Sequence, residues 1–116
     1  MNVTTQRAGG FTVIKPEGSL LGESAEAIQE EIGRVVDGGD RRVAVDLSGV
    51  DVMDSHGLSC MINAVTRARL REAEVALVGP TPFVAGLLQV TRLDQWFEVF
   101  STVADVDRRF AGEQGE

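Results

Sequence analysis

Val43-Ala44-Val45-Asp46-Leu47-Ser48-Gly49-Val50-Asp51-Val52-Met53-Asp54-Ser55-His56-Gly57-Leu58-Ser59-Cys60-Met61-Ile62 is the stretch whose reading decides the fold. It opens with an apolar run, Val43-Ala44-Val45, closed by Asp46-Leu47. A strand of a parallel sheet looks like this, because helices cover both faces and the polar/apolar alternation disappears. It closes as a helix, with apolar residues at 58, 61, 62 and 65 forming one stripe at a 3.6-residue period. The turn between them, Met53-Asp54-Ser55-His56-Gly57, puts a serine hydroxyl where the helix begins. A helix start offers unpaired N–H groups and the positive end of a dipole, so this serine is either a cap or a holder of phosphate.

Outward from that centre, Val3 to Arg7 and Phe11 to Lys15 flank Ala8-Gly9-Gly10 and read as an antiparallel hairpin. Pro16-Glu17-Gly18 is expected to end the second strand. From Ser24, apolar positions 25, 28, 32, 35 and 36 mark a first helix, with Glu23 and Glu26 at its positive end. It stops at Asp37-Gly38-Gly39-Asp40, where a glycine can turn left-handed. The central strand and the second helix, running to about Arg71, come next. Val75 to Val78 is a further strand, and strand–helix–strand implies a parallel, right-handed crossover. Thr81 and Pro82 read as N-cap and first residue of a third helix that buries Phe83, Val84, Leu87 and Leu88. Trp96 to Phe100 forms a last strand, and Thr102 with Asp105 starts a fourth helix through Phe110. The expected fold class is one α/β domain, a mixed sheet of four to five strands with about four helices, over residues 1–110. Ala111 to Glu116 is expected to fray as a tail.

Composition narrows the function. A length of 116 residues suits one domain with a modest core. Apolar content of 43% and charged content of 25% are those of a soluble globular chain. No apolar run approaches the roughly 18 residues of a membrane span, and Met1 to Arg7 has no apolar signal core. The single cysteine, Cys60, has no internal disulfide partner, which suits a reducing cytoplasm; it reads as a buried small hydrophobe before a reactive thiol. A net charge of −7 argues against nucleic acid.

The central residues carry a resemblance. Asp46-Leu47-Ser48, Val50, Met53-Asp54-Ser55, Gly57 and Leu58 resemble the signature of the anti-sigma factor antagonists, the stand-alone STAS domains. Pro16-Glu17-Gly18-Ser19-Leu20, and Thr91-Arg92-Leu93 leading into Trp96-Phe97, are similar to segments found at the same places in that family, so the resemblance spans nearly the whole chain. It implies a STAS fold without enzymatic activity or cofactor, and Ser55 as the regulatory phosphorylation site. It also implies that the unphosphorylated protein binds an anti-sigma factor that is itself a serine kinase and so frees a sigma factor. Phosphorylation would switch it off and a PP2C-type phosphatase would restore it. The partner surface would be Asp54, Ser55, His56, Gly57, Leu58 and Ser59, with Asp46 and Gly57 supporting the turn, in a cytoplasmic monomer or weak dimer that does not contact the membrane. Two positions depart from the family: Leu21 stands where many relatives carry an aspartate, and His56 where the residue is usually small. Leu21 favours an alternative, an unphosphorylated adaptor in a transporter-associated or stress-sensing complex.

The individual residues also have plainer roles. Ser55 can simply cap the second helix. Asp46 can accept turn N–H groups, and Asp54 would either repel a phosphate or orient the serine. A magnesium site on these acids is the weaker reading. His56 beside Ser55 suggests a hydrolytic dyad only if the imidazole reaches the hydroxyl, which sequence neighbours at a helix start do not favour. Gly57 keeps the helix start open for a backbone or a phosphate. Arg67, Arg69 and Arg71 read as a solvated face at the helix's negative end. Phe83, Trp96, Phe97 and Phe100 read as core.

Overall fold

A computed structural model describes residues 2–114, with side chains through Ala111. In chain order the elements are β1 (Asn2–Ala8), β2 (Phe11–Leu20), α1 (Glu23–Asp37), β3 (Arg42–Asp46), β4 (Val50–Met53), α2 (Ser55–Leu70), β5 (Glu74–Val78), α3 (Pro82–Val90), β6 (Glu98–Phe100) and α4 (Val103–Gln114). The sheet is mixed, in the order β1-β2-β3-β5-β6, with β4 joined to the far half of β2. β1 and β2 form the antiparallel hairpin, with Gly9 at a φ of 68° in its turn. The pairings of β2 with β3, β3 with β5, β5 with β6 and β2 with β4 are all parallel.

The sheet has six strands where four to five were expected, and β4 is the addition. In it Val50 and Met53 are buried, Asp51 is exposed and Val52 is half-buried. The second correction is to β2, which passes through Pro16-Glu17-Gly18 and continues to Leu20. Its pairing with β3 ends at Ile14↔Val45, and its pairing with β4 begins at Gly18↔Val50. Pro16, which lacks an N–H, lies at that hand-over, where a missing donor costs the ladder least. Gly18, at a φ of 115°, takes the irregular step.

β3 is buried on both faces, as its apolar run predicts. Val43 and Val45 join Ile28, Ile32, Met61, Val65, Val84 and Leu88 in the larger core, beneath α1, α2 and α3. Ala44 and Ala76 face the other way and pack with Phe11, Val106 and Phe110, where α4 covers the sheet alone. The five positions expected to be buried on α1 are buried: Ala25, Ile28, Ile32, Val35 and Val36. Thr81 caps α3 with Pro82 following it, and the hydroxyl of Thr102 accepts the N–H of Asp105. On α3 only Val84 and Leu88 are fully buried, and Phe83 is 52% exposed. α4 runs to Gln114, four residues past the expected boundary at Phe110; Gly115 and Glu116, the rest of the expected tail, lie outside the described residues. No helix among the described residues is long and apolar enough to cross a membrane.

Candidate functional site

The site is the connection from β4 into α2. Asp54, with extended backbone (φ −95°, ψ −178°), is the N-cap, and its carboxylate Oδ1 accepts the N–H of Gly57 at 2.7 Å. Ser55 is therefore the first helical residue, and the capping role open to it in the sequence belongs to Asp54. Ser55 is exposed, and among the described residues no side-chain hydrogen bond engages it. Its hydroxyl stands at the positive end of a 16-residue helix.

Gly57 is buried under this turn, and its lack of a side chain is required. A Cβ there would lie 2.4 Å from the Leu20 carbonyl oxygen and 2.9 Å from Met53 Cγ. The close backbone approach anticipated for this glycine is thus made by the end of β2. That contact places Leu21, 43% exposed, in the loop directly beside the turn. Asp54, Ser55, His56 and Ser59 are exposed and Leu58 is half-buried against the core, so the expected surface residues other than Gly57 reach solvent. Asp46 accepts the Ser48 N–H at 3.0 Å, so its support goes to the β3–β4 loop rather than to 54–57.

His56 points away from Ser55, toward α1. Its Nε2 lies 2.9 Å from Glu26 Oε2 and 3.8 Å from the Cys60 sulfur. The imidazole is engaged with α1, so the geometry supplies no base for Ser55. Burial pushes the Cys60 thiol pKa up, and the negative charges of Glu26 and Asp54 push it the same way, which matches an unreactive small hydrophobe. Among the described residues no group of three His, Cys, Asp or Glu side chains could hold a metal. At the other end of α2, Arg69 donates to the Trp96 carbonyl at 2.8 Å and lies 4.3 Å from the Trp96 ring centre. Arg71 pairs with Asp37 at 2.5 Å. Two of the three arginines read as a solvated face therefore hold neighbouring elements, because the helix ends over the 93–97 segment and beside the end of α1.

This fold and turn define a class, and the family comparison agrees: the STAS domain family model matches residues 2–106. The chain belongs to the STAS domain family. It is 26% identical over 91 residues, 78% of each chain, to BtrV of Bordetella bronchiseptica, a protein assigned as an anti-sigma factor antagonist. A solved structure from Thermotoga maritima, assigned the same way, superposes with a TM-score of 0.85 at 20% identity, covering 92% of each chain. The anti-sigma factor antagonist SpoIIAA in its unphosphorylated form gives a TM-score of 0.80 at 19% identity, covering 96% of this chain and 97% of its own. Its phosphorylated form, from Bacillus, gives 0.71 at 18%, covering 92% and 98%. The six-stranded sheet with four helices is the STAS fold of these structures. Anti-sigma factor antagonists of this kind are regulators without enzymatic activity.

Proposed function

We propose that this protein is an anti-sigma factor antagonist switched by phosphorylation of Ser55. The observation that carries the reading is an exposed serine at the first position of α2 with no structural duty, because Asp54 performs the capping. A phosphate there adds about −1.5 to −2 charges at pH 7. The helix end accommodates that charge, so the fold survives it. A partner packed on Asp54, Ser55, His56 and Ser59 does not, because it would have to desolvate the new charge beside the carboxylate of Asp54. The relatives support this reading: BtrV, the Thermotoga maritima protein and SpoIIAA all carry the antagonist assignment, and SpoIIAA exists in both phosphorylation states. In it the unphosphorylated protein binds an anti-sigma factor kinase in the cytoplasm, releases a sigma factor for transcription, and is restored by a PP2C-type phosphatase.

The test is phosphopeptide mapping of protein recovered from its source cells with phosphatases inhibited, alongside capture of partners by wild type, Ser55→Ala and Ser55→Asp. Phosphate on Ser55, and a kinase captured by Ser55→Ala but not by Ser55→Asp, is the expected result. Equal capture by Ser55→Asp would sink the charge-exclusion account. The exposed apolar side chain of Leu21 beside the turn favours a second reading, a constitutive STAS adaptor. That reading predicts an unmodified Ser55 under all growth conditions and capture of scaffold or membrane proteins.

A further inference from the structure

The sheet order ends at β1 on one side and at β6 on the other. β6 is an edge of three residues, and shortness is itself a guard against pairing with another chain. β1 is different. It runs seven residues against β2 in an unbroken antiparallel register, and Asn2 through Arg7 are all exposed. Among the described residues no other strand borders it. Its sequence, Asn2-Val3-Thr4-Thr5-Gln6-Arg7-Ala8, has no proline, lysine or bulge, the usual protections of an open edge. The hairpin fixes which backbone groups lie on that edge. Ala8 and Phe11 close the tight Gly9-Gly10 turn and exchange hydrogen bonds, and bonded and non-bonded pairs alternate from there. Val3, Thr5 and Arg7 therefore direct their N–H and C=O groups outward. Pro16, with no N–H to give, stands opposite Val3, which agrees with this phase.

These residues are complementary to themselves. With a second copy antiparallel along β1, about a two-fold axis through Thr5, Thr5 meets Thr5 and Val3 meets Arg7 at equal height on both sides of the axis. Each pair exchanges two hydrogen bonds, so every outward group finds a partner. Any other centre carries Val3 or Arg7 past the end of the other copy's β1. The side chains fit the same register. Val3, Thr5 and Arg7 share one face, the face turned to α1, where Thr5 donates to Glu31 at 2.6 Å and Arg7 to Asp40 at 2.9 Å. The stem of Arg7 packs on Val3 of the other copy while its head stays with Asp40. Each copy brings Arg7 and Arg34 with Glu31 and Asp40 to this face, so charge balances around the axis although the chain carries −7 overall. A surface where so acidic a chain meets itself without like charges opposed, in one register that uses every outward group, selects a second copy over an unrelated extended segment. We propose that β1 is a homodimer interface, through which two copies join their sheets edge to edge. The remaining net charge opposes association, so the dimer is weak and concentration-dependent. The interface shares no residue with the 54–59 partner surface and does not depend on the switch at Ser55.

Sedimentation equilibrium on the full chain tests this. Wild type is expected to rise with concentration from a mass of 12.4 kDa toward twice that value. Val3→Pro removes an outward N–H that β2 does not use, so it should hold the protein at the monomer mass with an unchanged circular dichroism spectrum. Cross-linking tests the register without relying on that variant. A residue on the axis has its two Cα atoms about 5.5 Å apart, within disulfide reach. With Cys60→Ser removing the native thiol, Thr5→Cys should therefore give a disulfide-linked dimer on mild oxidation. Thr4→Cys in the same background should not, because position 4 meets position 6 of the other copy. Wild type that stays monomeric to about 1 mM overturns the proposal and leaves the edge to a different extended segment. Association undiminished in folded Val3→Pro, or equal cross-linking from positions 4 and 5, overturns it as well.

Discussion

The carboxylate of Asp54 holds the N–H of Gly57 at 2.7 Å, and this single bond sets the start of α2 and the exposure of Ser55. An N-cap of this kind contributes about 1 kcal/mol, within a range of about 0.5–2. Asp54→Ala should lower unfolding stability by about that amount in urea titrations, whereas Asp54→Ser should keep most of it because a hydroxyl also accepts the bond. Equal losses in the two variants would show that the charge of Asp54, and not its bond, supports the helix.

The cap explains what was and was not legible in the residues. Both Asp and Ser are strong N-cap types, and here they are adjacent, so composition cannot say which of Asp54 and Ser55 stands first. The extended backbone of Asp54 decides it, and backbone angles are set by where β4 ends. β4 is not legible because four residues are too few to show a strand period, and because Pro16 and Gly18 read as the end of the strand it pairs with. β3, α1 and α2 were legible because each buries a continuous run or a full stripe. The contact of Glu26 with His56 spans 30 residues and left no local signal; only the packing of α1 on α2 creates it. Phe83 shows the same limit from the other side, since helical periodicity puts it near the apolar stripe but the short α3 turns it to solvent.

Gly57→Ala should be among the most harmful small changes in the chain. The added methyl would sit 2.4 Å from the Leu20 carbonyl, a backbone atom that can move only if β2 or α2 moves. Overpacking of this kind costs about 1–3 kcal/mol. The expected result is a lowered urea midpoint with an unchanged slope, together with loss of partner capture. A midpoint equal to wild type would mean that the end of β2 yields freely.

Gly33→Ala should act in the opposite direction. Gly33 lies in the interior of α1 with open space around the missing Cβ, so alanine relieves the conformational freedom of glycine without a clash. A gain of about 0.5–1 kcal/mol is expected from chemical denaturation of dilute, monomeric protein. A loss would indicate that the α1–α2 seam closes more tightly than the space around Gly33 implies.

Glu31 gives the chain an acid-sensitive contact. The hydrogen bond from Arg34 holds the Glu31 carboxyl below its ordinary pKa; burial opposes this, and Thr5 lowers it further through a 2.6 Å hydrogen bond. A carboxyl whose pKa is lower in the folded state contributes stability above its unfolded value, and that contribution fades as pH falls through the folded value. The loss therefore begins near the ordinary value of 4.5 and continues below it. Glu31→Gln removes the ionisable group while keeping an acceptor for Thr5, so wild type should exceed the variant in stability at neutral pH. The gap should narrow steadily below the ordinary carboxyl range. Thermal unfolding of both proteins from pH 7 to pH 3 checks this. A gap that stays constant with pH would assign the difference to packing of the side chain on β1 and not to its charge.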